Sequence, residues 1–194
     1  LEAVKVFIMY PDGAVSDVQR RQMTTAVEKN VTALAVDGNF DDCQALLKEM
    51  FNDFAFRDEV NLASVNSINW ARVMAQVVYY FTSALALGTP HTKVNFTVPT
   101  GNFGDIFAGY VAKKMGLPID KLIIATNQND ILDRVIKTGI YKIKDVKPSI
   151  SPSMDIQVSS NFERALFDIY DNDSKLVRKL MNNLQSSKAV SYTH

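Results

Sequence analysis

Short runs of apolar residues alternate along the chain with longer runs in which apolar residues recur every three or four positions. The short runs predict β-strands and the longer runs predict amphipathic α-helices. Strands are predicted at 4–10, 32–36, 94–98 and 122–125, and helices at 17–27, 41–51, 69–87, 106–115, 131–137, 162–170 and 175–184. This alternation is typical of the α/β class, in which a parallel sheet is flanked by helices.

The pattern also predicts how the chain is organised. The predicted helix 69–87 has an apolar stripe broad enough to be buried on most sides, whereas 141–152 is predicted to be an irregular connection. After Pro152 the pattern predicts only helices, and the polar end 186–194 lacks a packing face and is expected to fray. We therefore expect a central α/β region over 1–152, followed by a helical segment over 153–194 that begins a truncated C-terminal region.

One loop stands out between a predicted strand and a predicted helix. Gly101 and Gly104 bracket Asn102 and Phe103, directly after the strand 94–98. Backbone N–H groups are unpaired at a helix start and suit a phosphate group. The spacing fits neither a P-loop nor a dinucleotide fingerprint, so the sequence indicates another phosphate ligand, or a turn that needs glycine only for positive φ.

The composition of the chain argues against binding of nucleic acid, membranes and metals. Lysine plus arginine and aspartate plus glutamate both total 21, so no excess charge favours nucleic acid or an anionic membrane surface. The two histidines, His91 and His194, form no metal-ligand pattern. The single cysteine, Cys43, lies in an apolar helical pattern typical of a buried, inert thiol and of a reducing cytoplasm. No apolar run approaches the length of a membrane span.

Four further segments flank the glycine loop. They are SVNSINWAR at 64–72, TNQNDIL at 126–132, SPSMDI at 151–156 and SSNFER at 159–164. Together with the loop, in this order, they resemble threonine synthases of the bacterial and fungal type, and the resemblance covers nearly the whole chain. It implies an incomplete fold-type II domain similar to the β subunit of tryptophan synthase, with pyridoxal 5′-phosphate (PLP) as cofactor.

The resemblance implies that the loop holds the phosphate of PLP through Gly101, Asn102, Phe103, Gly104 and Asp105. The glycines would let the backbone approach closely, while the N–H groups and the Asn102 amide would donate hydrogen bonds. A carboxylate beside a phosphate dianion would repel it. We therefore expect Asp105 to cap the following helix and brace the loop.

Ser67, Asn69 and Arg72 lie at a predicted helix start, where they could bind an anionic substrate. A capping Ser or Asn and a solvated Arg would explain the same residues. Further polar residues after the strand 122–125 could face the site, namely Thr126, Asn127 and Asn129. Capping or packing is the expected role of three residues that match the family pattern without an evident chemical task, namely Met154, Asp155 and Asn161.

The resemblance also implies a lysine that forms a Schiff base with PLP. In this family the lysine follows Ala-Phe and precedes Asp, and neither that motif nor the Ser-Gly-Asp-Thr-Gly segment occurs here. Lys113 and Lys114 lie about 12 Å along the helix from the loop and are expected to point away from it. Because the chain starts at Leu1 without an initiator methionine, we expect the Schiff-base lysine upstream of Leu1.

The implied activity is that of a PLP-dependent carbon–oxygen lyase acting on phosphates. The complete protein would convert O-phospho-L-homoserine and water to L-threonine and phosphate, in the cytoplasm, during threonine biosynthesis. Two alternatives stay open. One is a threonine-synthase-like phospholyase that acts on phosphorylated hydroxyamino acids, and the other is a non-catalytic domain that binds phosphate or PLP.

Overall fold

The computed structural model describes residues 4–192, so Leu1 and His194 lie outside the described part of the chain. The strands are β1 (Val6–Pro11), β2 (Val31–Val36), β3 (Val94–Pro99), β4 (Ile119–Ala125), β5 (Ile140–Lys142) and β6 (Ala189–Ser191). The helices are α1 (Asp17–Thr24), α2 (Phe40–Asn52), α3 (Phe54–Glu59), α4 (Trp70–Ala86), α5 (Gly104–Lys114), α6 (Ile131–Thr138), α7 (Phe162–Ile169) and α8 (Ser174–Ser187).

The α/β class and the four predicted strands are confirmed, because β1 pairs with β2 and β3 pairs with β4, both in parallel. Seven predicted helices are also present, with ends that differ by up to three residues. The pattern missed α3, β5 and β6, which are only six, three and three residues long. Such short elements contain too few residues to show a period.

The structure divides into two compact units between Ala63 and Ser64. In the first unit the parallel pair β1–β2 is connected through α1, which begins at a capping box formed by Ser16 and Gln19. Asn39 and Asp42 form the equivalent box at the start of α2. These reciprocal bonds satisfy backbone donors that a helix start would otherwise leave unpaired.

Cys43 lies in α2 with 7% of its surface exposed, as the sequence predicts. Burial and the neighbouring charge of Asp42 both raise the pKa of its thiol. Because the thiolate is the reactive form, we expect a disulfide reagent at pH 8 to label Cys43 roughly 100-fold more slowly in the folded protein than in denaturant. Mass spectrometry of the peptide that contains Cys43 measures this ratio, and labelling at equal rates would contradict the prediction.

The second unit is built around the parallel pair β3–β4, with α4 and α5 packed together. Its first hydrophobic cluster joins apolar residues of these elements, among them Val73, Tyr80, Val98 and Phe107. Gly109 allows the contact between the two helices, since a Cβ there would lie 2.5 Å from the Tyr80 ring. Tyr80 is fixed in turn, because its hydroxyl donates to the carbonyl of Asp105 at 2.9 Å.

The second hydrophobic cluster joins α6, α7 and α8 with the antiparallel pair β5–β6. The predicted irregular connection 141–152 is confirmed for residues 143–151, but Tyr141, 1% exposed, and Lys142 belong to β5. The predicted fraying is wrong for the described part of 186–194, since Val190 and Tyr192 are each only 9% exposed, while Thr193 and His194 lie outside the described residues. Tyr141 pairs with Val190 across the two strands, so a partner distant in sequence fixes the segment that local polarity suggested would fray.

The expectation that α4 is buried on most sides is also wrong. Its buried residues all lie on one side, namely Val73, Val77, Tyr80 and Ala84, whereas Met74, Val78, Tyr79 and Leu85 are more than half exposed. The predicted boundary after residue 152 stays a prediction. The structure adds that α7 supplies Ala165 to the first cluster and Leu166 to the second. Within residues 4–192, no helix is both long and apolar enough to cross a membrane.

Candidate functional site

The glycine loop follows the carboxyl end of β3, where the paired strand β4 also ends. The backbone N–H of Thr100 donates to the carbonyl of Ala125 at 2.8 Å, and its buried hydroxyl donates to the carbonyl of Val98 at 2.6 Å. Phe103 then takes a left-handed conformation, with φ at 63°, and Gly104 begins α5. In parallel sheets this edge is where ligands bind.

Gly101 and Gly104 are glycines because neighbouring atoms pack closely against them, not because they need a positive φ. Neither Gly101 nor Gly104 has a positive φ, whereas Phe103 between them does. A Cβ on Gly101 would lie 3.3 Å from both the carbonyl oxygen of Ser153 and the Cα of Met154. The turn explanation offered by the sequence is therefore wrong for these glycines, since the reason for glycine is the neighbouring backbone.

The amino end of α5 has the donors that an anion requires. The backbone N–H groups of residues 103–106 precede the first intrahelical bond, which Phe107 donates to the carbonyl of Phe103 at 3.0 Å. No side chain among the described residues 4–192 caps them. The helix dipole adds partial positive charge at the same place. The loop and the helix start thus fit a phosphate group by donor chemistry and by backbone access.

Asp105 does not cap the helix as expected. Phe103 occupies the N-cap position, so Asp105 lies within the first turn and is exposed. Its backbone carbonyl accepts the bond from Tyr80 described above, and burial, followed by the negative charge of Asp105, raises the pKa of the Tyr80 hydroxyl. Tyr80 therefore stays protonated at neutral pH and donates, so Asp105 braces the helix start through its backbone carbonyl.

The segment 159–162 holds the loop from the other side. The Ser159 hydroxyl donates to the carbonyl of Gly101 at 2.8 Å, and the Asn161 backbone N–H donates to the carbonyl of Asn102 at 3.0 Å. The Phe162 ring meets the Phe103 ring edge to face, with centroids 5.3 Å apart. This packing offsets the strain of a left-handed, non-glycine residue in the loop.

Asn102 is placed to use its side chain. Its backbone carbonyl accepts hydrogen bonds from Asn161, and its Oδ1 accepts a weak bond from the Ser160 hydroxyl at 3.4 Å. Within residues 4–192 its amide nitrogen has no acceptor. This fits the hydrogen-bond donor that the sequence predicts at this position.

The three candidates for substrate binding lie at the start of α4 or just before it. Asn69 is its N-cap, since its Oδ1 accepts from the N–H of Ala71 at 2.8 Å and its Nδ2 donates to the carbonyl of Ser64. Arg72 is exposed and Ser67 is half-buried. The backbone of Ser67 reaches the glycine loop, because a Cβ on Gly104 would lie 4.0 Å from its carbonyl oxygen. The structure thus brings this segment and the loop together.

The polar residues that follow β4 serve an internal network. Asn127 and Asn129 donate to the Asp155 carboxylate at 2.7 and 3.0 Å, and Ser149 donates to it through both its N–H and its hydroxyl. Asp155 thereby holds the turn 149–155, whose backbone touches Gly101. Thr126 is half-buried beside this network. The role of Asn127, Asn129 and Asp155 in the structure is to position the backbone beside the loop.

Lys113 and Lys114 are both engaged at the far end of α5. Lys113 Nζ donates to the carbonyl of Asp120 at 2.9 Å, and Lys114 Nζ pairs with the Asp168 carboxylate at 2.5 Å. They point away from the loop, as expected. Across residues 4–192 the structure also shows no group of three His, Cys, Asp or Glu side chains placed to hold a metal.

A family model of pyridoxal-phosphate dependent enzymes matches residues 2–180 of the chain. The chain belongs to this family. It is 55% identical over 188 residues to threonine synthase of Pseudomonas aeruginosa, and this match covers 97% of the chain and 40% of that relative. The chain thus spans about 40% of the length of this curated relative.

Two solved structures are similar to this pyridoxal-phosphate dependent chain. The PLP-bound threonine synthase of Brucella melitensis superposes with a TM-score of 0.85 at 59% identity, over 98% of this chain and 41% of that one. Yeast threonine synthase superposes with a TM-score of 0.81 at 48% identity, over 98% and 39%. The fold-type II architecture and its incompleteness, both expected from the sequence, are thereby confirmed.

The sequence did not reveal the structural role of two residues of this pyridoxal-phosphate dependent domain. Asn161 was expected to cap or pack, yet its side chain does not cap α7 and instead contacts the loop. Tyr141 accepts the N–H of Ser159 at 2.8 Å and so supports the segment that holds the loop. In the sequence, Ser159 and Asn161 are recognisable only as polar residues of the SSNFER motif. The motif does not indicate that they bond to the glycine loop.

Proposed function

We propose that the chain is the PLP-phosphate-binding part of a threonine synthase. The complete protein would convert O-phospho-L-homoserine and water to L-threonine and phosphate, as a carbon–oxygen lyase of threonine biosynthesis. The observation that carries the proposal is the uncapped amino end of α5 beside Gly101 and Gly104, within a chain similar over nearly its whole length to threonine synthases. PLP would act as an electron sink for carbanions formed on the substrate.

The cofactor phosphate would be held by Gly101, Asn102, Phe103, Gly104 and Asp105. The N–H groups of residues 103–106 would donate to the phosphate oxygens, with a further bond from the Asn102 amide. Asp105 would contribute its N–H group, and its exposed carboxylate would face away from the anion. The left-handed Phe103 turns the chain into α5, so that these donors are set before the ligand arrives.

The substrate phosphate would be bound by the segment at the start of α4. Ser67 would offer a hydroxyl and Arg72 a guanidinium, which suits a phosphate through two parallel hydrogen bonds. Asn69 would act by fixing the first turn of α4, since its Oδ1 and Nδ2 already bond to Ala71 and Ser64. The acceptors for proton transfer and the Schiff-base lysine would come from other parts of the complete protein.

Borohydride reduction of the PLP-loaded protein tests the assignment of the lysine. Mass spectrometry of the complete protein should find one stoichiometric pyridoxyl adduct, on a lysine outside the 194 residues of this chain. The chain alone should give no stoichiometric adduct, because it lacks the family's Ala-Phe-Lys-Asp motif and because the two lysines after the loop, Lys113 and Lys114, are held at the far end of α5. A stoichiometric adduct within the chain would show that the missing-lysine proposal is wrong.

Product analysis of the complete protein tests the activity. With O-phospho-L-homoserine we expect equal amounts of L-threonine and phosphate. Formation of 2-oxobutyrate without threonine would instead indicate a phospholyase. Absence of any phosphate release despite PLP binding would favour a non-catalytic binding domain.

A further inference from the structure

Asn161 is completely buried, and its side-chain amide is hydrogen-bonded through both its nitrogen and its oxygen. Its Nδ2 donates both to the carbonyl of Asn102 at 3.1 Å and to the carbonyl of Ser67 at 2.7 Å. Its backbone N–H donates to Asn102 as well. One amide group therefore joins the cofactor loop to the segment 64–69, which lies more than 30 residues earlier in the sequence.

Arg164 fixes the orientation of this amide. Its Nε donates to Asn161 Oδ1 at 3.0 Å, and its Nη2 donates to the carbonyl of Ile68 at 2.8 Å. The guanidinium also lies over the Trp70 ring, 5.6 Å from the centroid. With a donor on its oxygen side and two carbonyls on its nitrogen side, the amide has one favourable orientation. Arg164 thus adds a second bond from α7 to the segment 64–69.

We infer that Asn161 is a positioning residue, held by Arg164, that sets the distance between the cofactor loop and the proposed substrate-binding segment and couples their order. This inference rests on the proposed function, because the proposed function assigns PLP to the loop and the substrate to the segment 64–69. Gly104 lies at the same junction, where a Cβ would be 3.4 Å from Asn161 Nδ2. Asn161 touches neither ligand in this scheme and acts through the two backbones.

The physical basis of the coupling is the shared donor. If the loop moves relative to the segment 64–69, Nδ2 must leave one of its two carbonyls. The carbonyl of Asn102 keeps the Asn161 backbone N–H as a donor, whereas the carbonyl of Ser67 loses its bond from Nδ2, which costs free energy. Occupancy of the loop by PLP would restrict the loop, and Asn161 would transmit this restriction to Ser67. The substrate segment would then be ordered when the cofactor is present.

Hydrogen exchange with mass spectrometry on the complete protein tests this coupling, with and without saturating PLP. In the wild type, PLP should slow exchange in peptides covering 101–106 and also in peptides covering 64–69. The Asn161→Asp variant keeps the shape and the bond from Arg164, but places an oxygen against two carbonyl oxygens. We expect it to bind PLP about tenfold more weakly and, at saturation, to lose at least about four-fifths of the slowing in 64–69 while retaining it in 101–106.

Two further variants separate coupling from general stability. Val177→Ala removes buried volume from α8, since Val177 is 3% exposed and lies in the second cluster, so it should lower stability and leave the PLP-dependent slowing in 64–69 intact. Arg164→Lys keeps the charge but lacks the planar guanidinium that donates to both Asn161 and Ile68. Its loss of PLP-dependent slowing in 64–69 should lie between those of the wild type and Asn161→Asp.

Two results would overturn the inference. One is a PLP-dependent slowing of exchange in 64–69 that is as large in Asn161→Asp as in the wild type. The other is a loss of this slowing in Val177→Ala equal to that in Asn161→Asp. The exchange measurement needs no turnover, so its outcome is separate from that of the proposed function. A protein that binds PLP but makes no threonine would refute threonine synthesis, while the coupling between the two segments would still be decided by exchange.

Discussion

A valine at position 101 is expected to weaken PLP binding by the complete protein about 100-fold. The added Cβ would meet the backbone of Ser153 and Met154 at 3.3 Å, and backbone held by the Asp155 network cannot rotate aside as a side chain can. The loop would therefore move, and its N–H groups would no longer point at the phosphate oxygens. Two charge-assisted hydrogen bonds at about 1.5 kcal/mol each account for this loss.

Titration of the apoprotein with PLP, followed by absorbance or fluorescence, measures the change in affinity. Gly101→Ala should fall between the wild type and Gly101→Val, because it adds the same Cβ without the two methyl groups. Thr97→Val is the matched control, since Thr97 is exposed on the strand that leads into the loop and valine has nearly the same shape. Affinity of Gly101→Val within threefold of the wild type would refute the assignment of the loop.

Replacing Phe162 by alanine is expected to reduce the free energy of unfolding by about 4 kcal/mol, the cost typical of deleting a buried phenylalanine ring. The ring is 7% exposed, is stacked on Tyr141 with centroids 5.6 Å apart, and meets Phe103 and Tyr192 edge to face. Its loss would leave a cavity and would also remove the packing that offsets the left-handed conformation of Phe103.

Denaturant unfolding, monitored by circular dichroism, measures this effect. Phe167→Ala is the matched control, because Phe167 lies on the same helix with 39% of its surface exposed, and we expect a loss of about 1 kcal/mol there. Phe162→Leu should fall between them, since leucine fills part of the cavity. Equal losses at positions 162 and 167 would show that the ring cluster around Phe103 does not carry the stability assigned to it.

The elements of this fold that local pattern predicts are those long enough to show a period. Helix α4 and the parallel strands β3 and β4 contain 17, 6 and 7 residues, and each has the residue types of its class. Strands β5 and β6 have three residues each and form only because Tyr141 and Val190 pair over 49 positions of sequence. No local signal contains that pairing, so the fraying that the sequence predicts for the chain end is wrong up to Tyr192, the last described residue.

The candidate site shows the same division between local and distant information. Gly101 and Gly104 are recognisable because a strand–glycine–helix arrangement is a local pattern. The sequence does not show why they are glycines, since the atoms that a Cβ would touch belong to Ser153, Met154 and Asn161. Asp105 was expected to cap α5 because acidic residues favour helix starts, but the left-handed Phe103 moves that start two residues earlier than the apolar period suggests.

The pairing of strands in twos has a practical consequence for this polypeptide. Within residues 4–192, the two-stranded parallel sheet β1–β2 leaves the outer backbone groups of each strand without a strand partner, and the Phe7 side chain of β1 is 62% exposed. Unpaired strand edges beside apolar surface recruit other chains. Produced alone, the 194-residue chain should therefore self-associate as its concentration rises, and ligand titrations should be done at low micromolar protein with light scattering recorded in parallel.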